Sequence, residues 1–374
     1  MTDGDPEGAV LSRGSRRRLL RALVNVGFGG GVASLVTRTG LLAAEVPIVY
    51  GLTWQGEGQP RRLRKEVPRA WHEALHRAFD VQQAVIEAGI PGIVGTFVVP
   101  GTFDDPAPRL DLDATPDVDS LADLEELLAD IEYTINYVRP SEPEFGPEGS
   151  IPEQGRRIEL DDDRVPAGTL CYAEEHVGTL APALFRDDER YFATSNHLFG
   201  AEGSLDGEHL GDSLYLLHED GQSEVGRVRQ GLPEADVAVV DPVPPYRPTS
   251  TIDSVSPSRV VGHFTRVGLA GLHARGEPLE KVGAVGGHSS GQISGIDGVT
   301  CYYGGRCRRG QLRWGSRQAM TDGDSGSVSF HADPRRPSKL LVASVNNART
   351  WWPGGDFTWG TGAYYLYDRH GFHF

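Results

Sequence analysis

The chain has 374 residues, a formal net charge of −16 and a hydrophobic share of 39%, which is room for about two domains and an extension. Its composition excludes a collagen-like or coiled-coil chain, and its acidic balance argues against general nucleic-acid binding, which needs a basic face. The basic residues are nearly all arginine, with lysine only at Lys65, Lys281 and Lys339. An acidic, lysine-poor surface stays hydrated where salt screens charge strongly. A salt-adapted (halophilic) source is therefore expected, although a GC-rich genome would give the same arginine bias.

The first elements read as an address. Ser15-Arg16-Arg17-Arg18-Leu19-Leu20-Arg21 precedes a weakly apolar, glycine-rich stretch from Ala22 to Ala44, and Leu42-Ala43-Ala44-Glu45 offers a small-residue cleavage site. Paired arginines before Leu-Leu resemble a twin-arginine (Tat) export signal over residues 1–45. Arg38 inside the stretch disfavours a spanning helix, which needs about 20 apolar residues. The expected partner of this segment is the Tat export machinery, the expected destination extracellular, and no stable membrane span is expected. A basic amphipathic helix or a loose tail is the plainer reading.

Residues 46–139 read as a small α+β domain. Val46 to Leu52 predicts a strand. Pro68 to Ala88 predicts an amphipathic helix through Ala70, Ala74, Leu75, Ala78, Phe79, Val81, Val85 and Ile86, stopped at Gly89 and Pro91. Ile93 to Val99 predicts a short strand, and Thr102 to Val118 an acidic loop. Asp119-Ser120 would cap a second helix running to about Val138, with Leu121, Leu124, Leu127, Leu128 and Ile131 on one side. His72 and His76 lie one helical turn apart, but without a third ligand they read as solvent-face residues. No motif here carries chemistry. Residues 140–166, rich in Pro, Gly, Glu and Asp, read as a linker.

From Val165 the texture changes to short apolar runs between Gly, Pro and charged turns, which is the pattern of an all-β barrel or sandwich. Three motifs in this half suit nucleophilic catalysis. A serine hydroxyl needs a base in reach, a group that orients the base, and donors for the oxyanion. Tyr191 to Phe199 is an apolar strand running into a turn that presents His197. Glu234 to Asp241 opens a β-branched run with Asp236, although Asp241 and Asp253 are nearby alternatives. In Thr321 to Phe330, glycines on both sides of Ser325 permit a tight turn that gathers backbone N–H groups.

At these residues the chain resembles the chymotrypsin/trypsin-like serine protease superfamily, especially its bacterial secreted branch. Thr194-Ser195-Asn196-His197 is similar to Thr-Ala-Ala-His, Asp236-Val237-Ala238-Val239 to Asp-Ile-Ala-Leu, and Gly323-Asp324-Ser325-Gly326 to the nucleophile loop. The order His, Asp, Ser is the one that fold uses. Val285 to Gly295 resembles a glycine- and threonine-rich strand of bacterial members, and Gly178-Thr179-Leu180 the strand before the histidine. Over residues 167–374 the resemblance implies an all-β double β-barrel (chymotrypsin-like) and a serine endopeptidase acting on protein or peptide substrates. It implies a catalytic triad of His197, Asp236 and Ser325, oxyanion donors from the backbone N–H of Gly323 and Ser325, and a structural carboxylate at Asp324. It also implies a substrate pocket at Ala319, Met320, Ser344 and Asn346; with no acid at Ala319, a neutral P1 residue is expected. Neither metal nor cofactor is implied. Cys301 and Cys307 flank a hairpin tip and could form a disulfide or remain two thiols. Residues 46–165 could be a pro-region that restrains a latent enzyme or a permanent domain. A catalytically silent binding protein and an esterase with the same triad are the competing readings.

Overall fold

The computed structural model describes residues 44–54, 58–116, 121–138, 163–173, 176–200, 207–218, 221–301, 307–349 and 356–374. The export-signal stretch, the Asp119-Ser120 cap and most of the 140–166 linker lie outside these residues. Strand β1 (Glu45–Thr53) pairs antiparallel with β2 (Arg61–Pro68), and helix α1 (Arg69–Ala88) follows directly. The sequence hides β2 because it is Arg- and Lys-rich; only Leu63 and Val67 are buried, as suits an edge strand. Helix α1 turns Trp71, Leu75, Ala78, Phe79 and Val85 inward at helical spacing and ends where Gly89 takes a left-handed φ of 55°. His72 and His76 face each other on its outer side, with Nε2 atoms 3.0 Å apart.

Two expectations for this unit are corrected. The acidic segment after β3 (Ile93–Val99) contains a strand, β4 (Arg109–Ala114), because Leu110 and Leu112 alternate with aspartates and turn into the core. The second helix, α2 (Leu121–Leu127), stops well short of Val138, and β5 (Glu132–Tyr137) runs parallel to β4 instead. Tyr133, Thr134, Ile135 and Tyr137 are strand formers and outweigh the helical pattern that precedes them.

The next strands are β6 (Arg164–Ala167), β7 (Leu170–Ala173), β8 (His176–Thr179), β9 (Leu184–Arg186), β10 (Glu189–Thr194), β11 (Ser213–His218), β12 (Gly221–Leu232), β13 (Val237–Pro242) and β14 (Arg247–Ile252). Seven of them form one sheet in the order β8-β7-β11-β12-β13-β10-β9. Just beyond β8, the Ala181 N–H donates to the carbonyl of Ala193 in β10, so the sheet curls back on itself. Inside lie Cys171, Phe192, Leu216, Val228 and Val240. Because β6 pairs with β14, the last residues of the expected linker, from Arg164, belong to a strand.

The rest is β15 (Val260–Phe264), α3 (Arg266–Ala274), β16 (Leu279–Gly283), β17 (Gly287–Gly291), β18 (Ile293–Thr300), β19 (Arg308–Trp314), β20 (Val328–Asp333), β21 (Arg336–Arg349), β22 (Thr358–Gly362) and α4 (Ala363–His370). These strands form the second sheet around Val282, Val328, Phe330, Val342 and Val345. The C-terminal half is thus mostly β, built on two sheets, and is preceded by a small α+β unit.

That unit does not stand apart. Strand β3 pairs antiparallel with β18, placing Val98 opposite Ile296, and β1 pairs with β15, placing Leu52 opposite His263. One 13-stranded sheet therefore runs through both units. Trp71 and Leu75 share a core with Phe264, Leu269, Ile296 and Trp314. Arg313 reaches Asp111 at 2.7 Å, and the Tyr50 hydroxyl donates to Asp333 at 2.7 Å. Among the described residues no helix is long and apolar enough to cross a membrane.

The seam carries a buried histidine. His263 is fully buried against Trp54 and Tyr367, and neither ring nitrogen bonds to a described residue. Burial, with His373 adding to it, pushes its imidazole from 6.5 down to about 3; burial pushes His373 down to about 4. Both rings are neutral in the fold, whereas the unfolded chain takes up protons near pH 6.5. Their contribution is therefore complete above that pH and is lost progressively as pH falls below it, the loss levelling off near about 4 for His373 and about 3 for His263. Thermal melts from pH 7 to pH 4 should show this decline, and His263→Phe should flatten it. An unchanged slope in the variant would contradict this account.

Candidate active site

Strand β10 delivers the histidine. Its buried run Tyr191-Phe192-Ala193-Thr194 ends in a 3₁₀ turn, Asn196–Phe199, which holds His197 with its side chain 16% exposed. The turn that joins β12 to β13 delivers Asp236, whose side chain is 1% exposed. Asp236 has a φ of 50°, a left-handed conformation that aspartate tolerates better than most residues. Its Oδ2 lies 2.8 Å from His197 Nδ1, and its Oδ1 accepts the His197 backbone N–H at 3.0 Å. Two contacts from one carboxylate fix both the ring and its backbone. Asp241 instead faces Arg229 at 3.4 Å on the exterior of β13.

Arg308 was not foreseen. Its Nη2 lies 2.9 Å from Asp236 Oδ2, the same oxygen that faces His197. Burial alone would push the Asp236 carboxyl up, but the Arg308 guanidinium and the His197 ring and N–H outweigh it and hold it below the usual value.

Ser325 lies on the loop before β20, across from this pair. Its carbonyl accepts the N–H of Thr179 at 2.8 Å, and the N–H of the next residue, Gly326, donates to Asn346 O at 2.8 Å. Gly326 has a φ of 90°, and a Cβ there would meet Thr194 Oγ1 at 2.2 Å and Thr179 O at 2.3 Å. Only glycine fits both the angle and the space, which seats the serine loop against the residues just before His197. Gly323 has a φ of 91°, and its carbonyl accepts from Thr179 Oγ1 at 2.8 Å. Among the described residues, the N–H groups of Gly323 and Ser325 donate to no other group, and no hydrogen bond joins Ser325 to His197.

Asp324 is wholly buried and ion-paired to Lys281, itself 1% exposed. It also accepts the N–H groups of Gly286 at 2.8 Å, Thr321 at 3.1 Å and Val285 at 3.2 Å. A Cβ at Gly283 would come within 2.0 Å of its Oδ1, so the loop closes only over a glycine. Lys281 left a faint signal in the sequence, being one of three lysines and placed inside an apolar strand. Arg308 left none.

The four residues expected to line a substrate pocket fare unevenly. Ala319 and Met320 follow a short turn and are 7% and 3% exposed. Ser344 and Asn346 are 0% exposed and point inward. The Ser344 hydroxyl bonds Ser329 Oγ at 2.5 Å, while Asn346 Oδ1 accepts from Trp314 Nε1 at 3.1 Å. Their side chains thus brace the core beneath the loop. The rim carries an ion pair the sequence did not reveal, Arg349 to Asp322 at 2.9 Å. Cys301 and Cys307 form a disulfide across the β18–β19 tip, which resolves the alternative left open above. Cys171 is a buried thiol in the first sheet, pushed up to about 12 by desolvation.

Neither a protein-family model nor a curated protein matches the sequence. Solved structures do. A glutamic-acid-specific serine protease described as using a histidine triad in substrate binding is 16% identical, over 56% of this chain and 99% of its own, with a TM-score of 0.42. Protease A of Thermobifida fusca is 17% identical over 56% of this chain and 97% of its own, with a TM-score of 0.41. A Nocardiopsis protease is 15% identical over the same shares, also with a TM-score of 0.41. The chain is similar to these in fold; the strand order and the His197–Asp236 geometry stand apart from that likeness.

Proposed function

We propose that the chain is a serine endopeptidase of the chymotrypsin superfamily that cleaves peptide bonds through an acyl-enzyme. The observation that carries this reading is the His197 Nδ1–Asp236 pair at 2.8 Å, with Thr194 and Ser195, just before His197, seated against Gly326 of the serine loop. Ser325 would attack the scissile carbonyl, and His197 would take its proton and later give it to the leaving amine. Asp236 would hold the imidazole tautomer and stabilise its cation. The N–H groups of Gly323 and Ser325 would receive the oxyanion.

The reading extends to an exported enzyme made as a latent precursor. Residues 1–45 would serve as the Tat-type signal, residues 46–139 as the restraining unit and residues 140–166 as the segment cut on activation. The pairing of β3 with β18 supports a restraining role, since it ties the N-terminal unit to the protease by main-chain bonds. One observation favours the silent-protein alternative: Arg308 engages the Asp236 oxygen that faces His197.

One experiment tests the reading. A fluorophosphonate probe should label the protein in high salt at Ser325 and leave Ser325→Ala unlabelled, with N-terminal mapping of the labelled form in parallel. Absence of labelling at Ser325, in any processed form, would reject the endopeptidase and esterase readings together. A mature start near residue 46 would reject removal of the N-terminal unit.

A further inference from the structure

Arg308 connects two parts of the molecule that catalysis alone does not require to be connected. It opens β19, directly after Cys307. The disulfide ties Cys307 to Cys301, at the end of β18. Strand β18 is held by the N-terminal unit: Thr300 lies opposite Gly95 of β3, and the Cys301 N–H donates to Val94 O at 2.7 Å. On the other side the Arg309 N–H donates to Glu234 O at 3.2 Å, in the turn that carries Asp236. A continuous path of main-chain bonds and one disulfide thus runs from β3 to the carboxylate beside His197.

At the end of that path an imidazole and a guanidinium meet at one carboxylate oxygen. His197 Nδ1 is 2.8 Å and Arg308 Nη2 2.9 Å from Asp236 Oδ2. In acyl transfer His197 must accept the serine proton and become cationic, and the carboxylate favours that state. A guanidinium fixed on the same oxygen draws on the same negative charge and repels the forming imidazolium. Both effects are strong in a site with little water. Arg308 is 15% exposed and Asp236 1%, so solvent screens the charge poorly. The effect is expected on the chemical step, because Arg308 acts on His197 through the Asp236 carboxylate.

We propose that Arg308 is a built-in brake on the His197–Asp236 pair, held in place by the N-terminal unit through the disulfide-stapled β18–β19 hairpin. This rests on the serine endopeptidase reading. It gives latency a specific lever: when β3 leaves β18, the tip of the hairpin loses its support on that side, β19 stays paired to β22, and Arg308 can withdraw from Asp236. Arg308 is then a positioning residue, acting on the base through its carboxylate.

The test uses the full chain and the fluorophosphonate probe, separating the saturating labelling rate from the half-saturating probe concentration. Arg308→Gln keeps a planar, hydrogen-bonding side chain and removes the charge. It should raise the saturating rate about tenfold to a hundredfold, within the span of general-base effects, and leave half-saturation within about twofold. The double variant Cys301→Ser/Cys307→Ser loosens the hairpin without touching Arg308. It should give a smaller rise that adds nothing on top of Arg308→Gln. An unchanged or slower rate in Arg308→Gln, with the thermal midpoint held, would overturn the brake. A faster Arg308→Gln beside an unaffected cysteine variant would overturn the hairpin linkage. Wild type and Ser325→Ala run alongside: if neither wild type nor any variant labels at Ser325, the serine reading itself fails; if wild type labels and Arg308→Gln gains nothing, only this inference fails.

Discussion

His197→Ala should lower peptide hydrolysis by about six orders of magnitude while leaving the thermal midpoint almost unmoved. The size follows from the chemistry. Without the imidazole, a hydroxyl that is a weak nucleophile at neutral pH has no group within reach to take its proton. What survives is the contribution of the oxyanion donors and of substrate positioning, which does not depend on the base. The fold should tolerate the change because His197 sits in a surface turn with its ring partly exposed, and the buried residues around it, Leu198 and Phe199, stay in place. Asp236 keeps the His197 backbone N–H and Arg308 as partners. The measurement is the hydrolysis rate of a casein-type substrate beside a thermal melt. A loss below tenfold would remove His197 from the mechanism, and a collapse of the melt would show that the turn is structural.

Lys281→Met should damage both stability and activity. Lys281 and Asp324 are buried together, and removing the cation strands a carboxylate inside the second sheet. Breaking such a pair from one side costs about 3–5 kcal/mol. Asp324 is also the peg of the nucleophile loop, accepting three backbone N–H groups from Val285, Gly286 and Thr321. If it shifts or takes a proton, the Gly323 and Ser325 amides lose their shared aim. Activity should fall by about a hundredfold beyond the stability loss, the usual cost of one misplaced oxyanion donor. Adding Asp324→Asn to Lys281→Met should restore part of the melting temperature, because both partners are then neutral, but not the activity. A denaturant melt and labelling rates at Ser325 separate the two effects. A Lys281→Met protein that melts and labels like wild type would refute the bracing role.

The parts that proved legible share a physical character. The strand-and-turn shape of the candidate-site motifs was readable because each couples a buried strand to a special turn. Tyr191 to Thr194 feeds the His197 turn, and Gly323 and Gly326 mark positions where positive φ or close approach leaves no other choice. Helix α1 was readable because its inner face follows one period throughout. What escaped was set by partners distant in sequence. Strand β2 is charged along most of its length and exists only because β1 pairs with it. The fusion of the N-terminal unit with the second sheet depends on β3 meeting β18 and β1 meeting β15, which no local pattern encodes. Arg308 escaped for the same reason: one arginine among many in the chain, given its role only by where a hairpin places it. The inward turn of Ser344 and Asn346 was equally invisible, since a strand's alternation says which face a side chain takes but not which hydroxyl or amide it meets there.

The pairing of β3 with β18 also bears on how the chain comes to be folded. Val98 and Ile296 are neighbours in the sheet yet roughly two hundred residues apart in sequence, with the whole first β-sheet made between them, and such distant pairings slow folding. During synthesis the N-terminal unit emerges first, with β3 paired to β4 on one side and its other edge open until β18 arrives. It therefore offers a preformed edge on which the β18–β19 hairpin can be laid, ahead of the disulfide that closes the tip. On this account the first folded part of the chain is a template for the last, and a C-terminal half produced alone should fold slowly and expose β18 as an open edge.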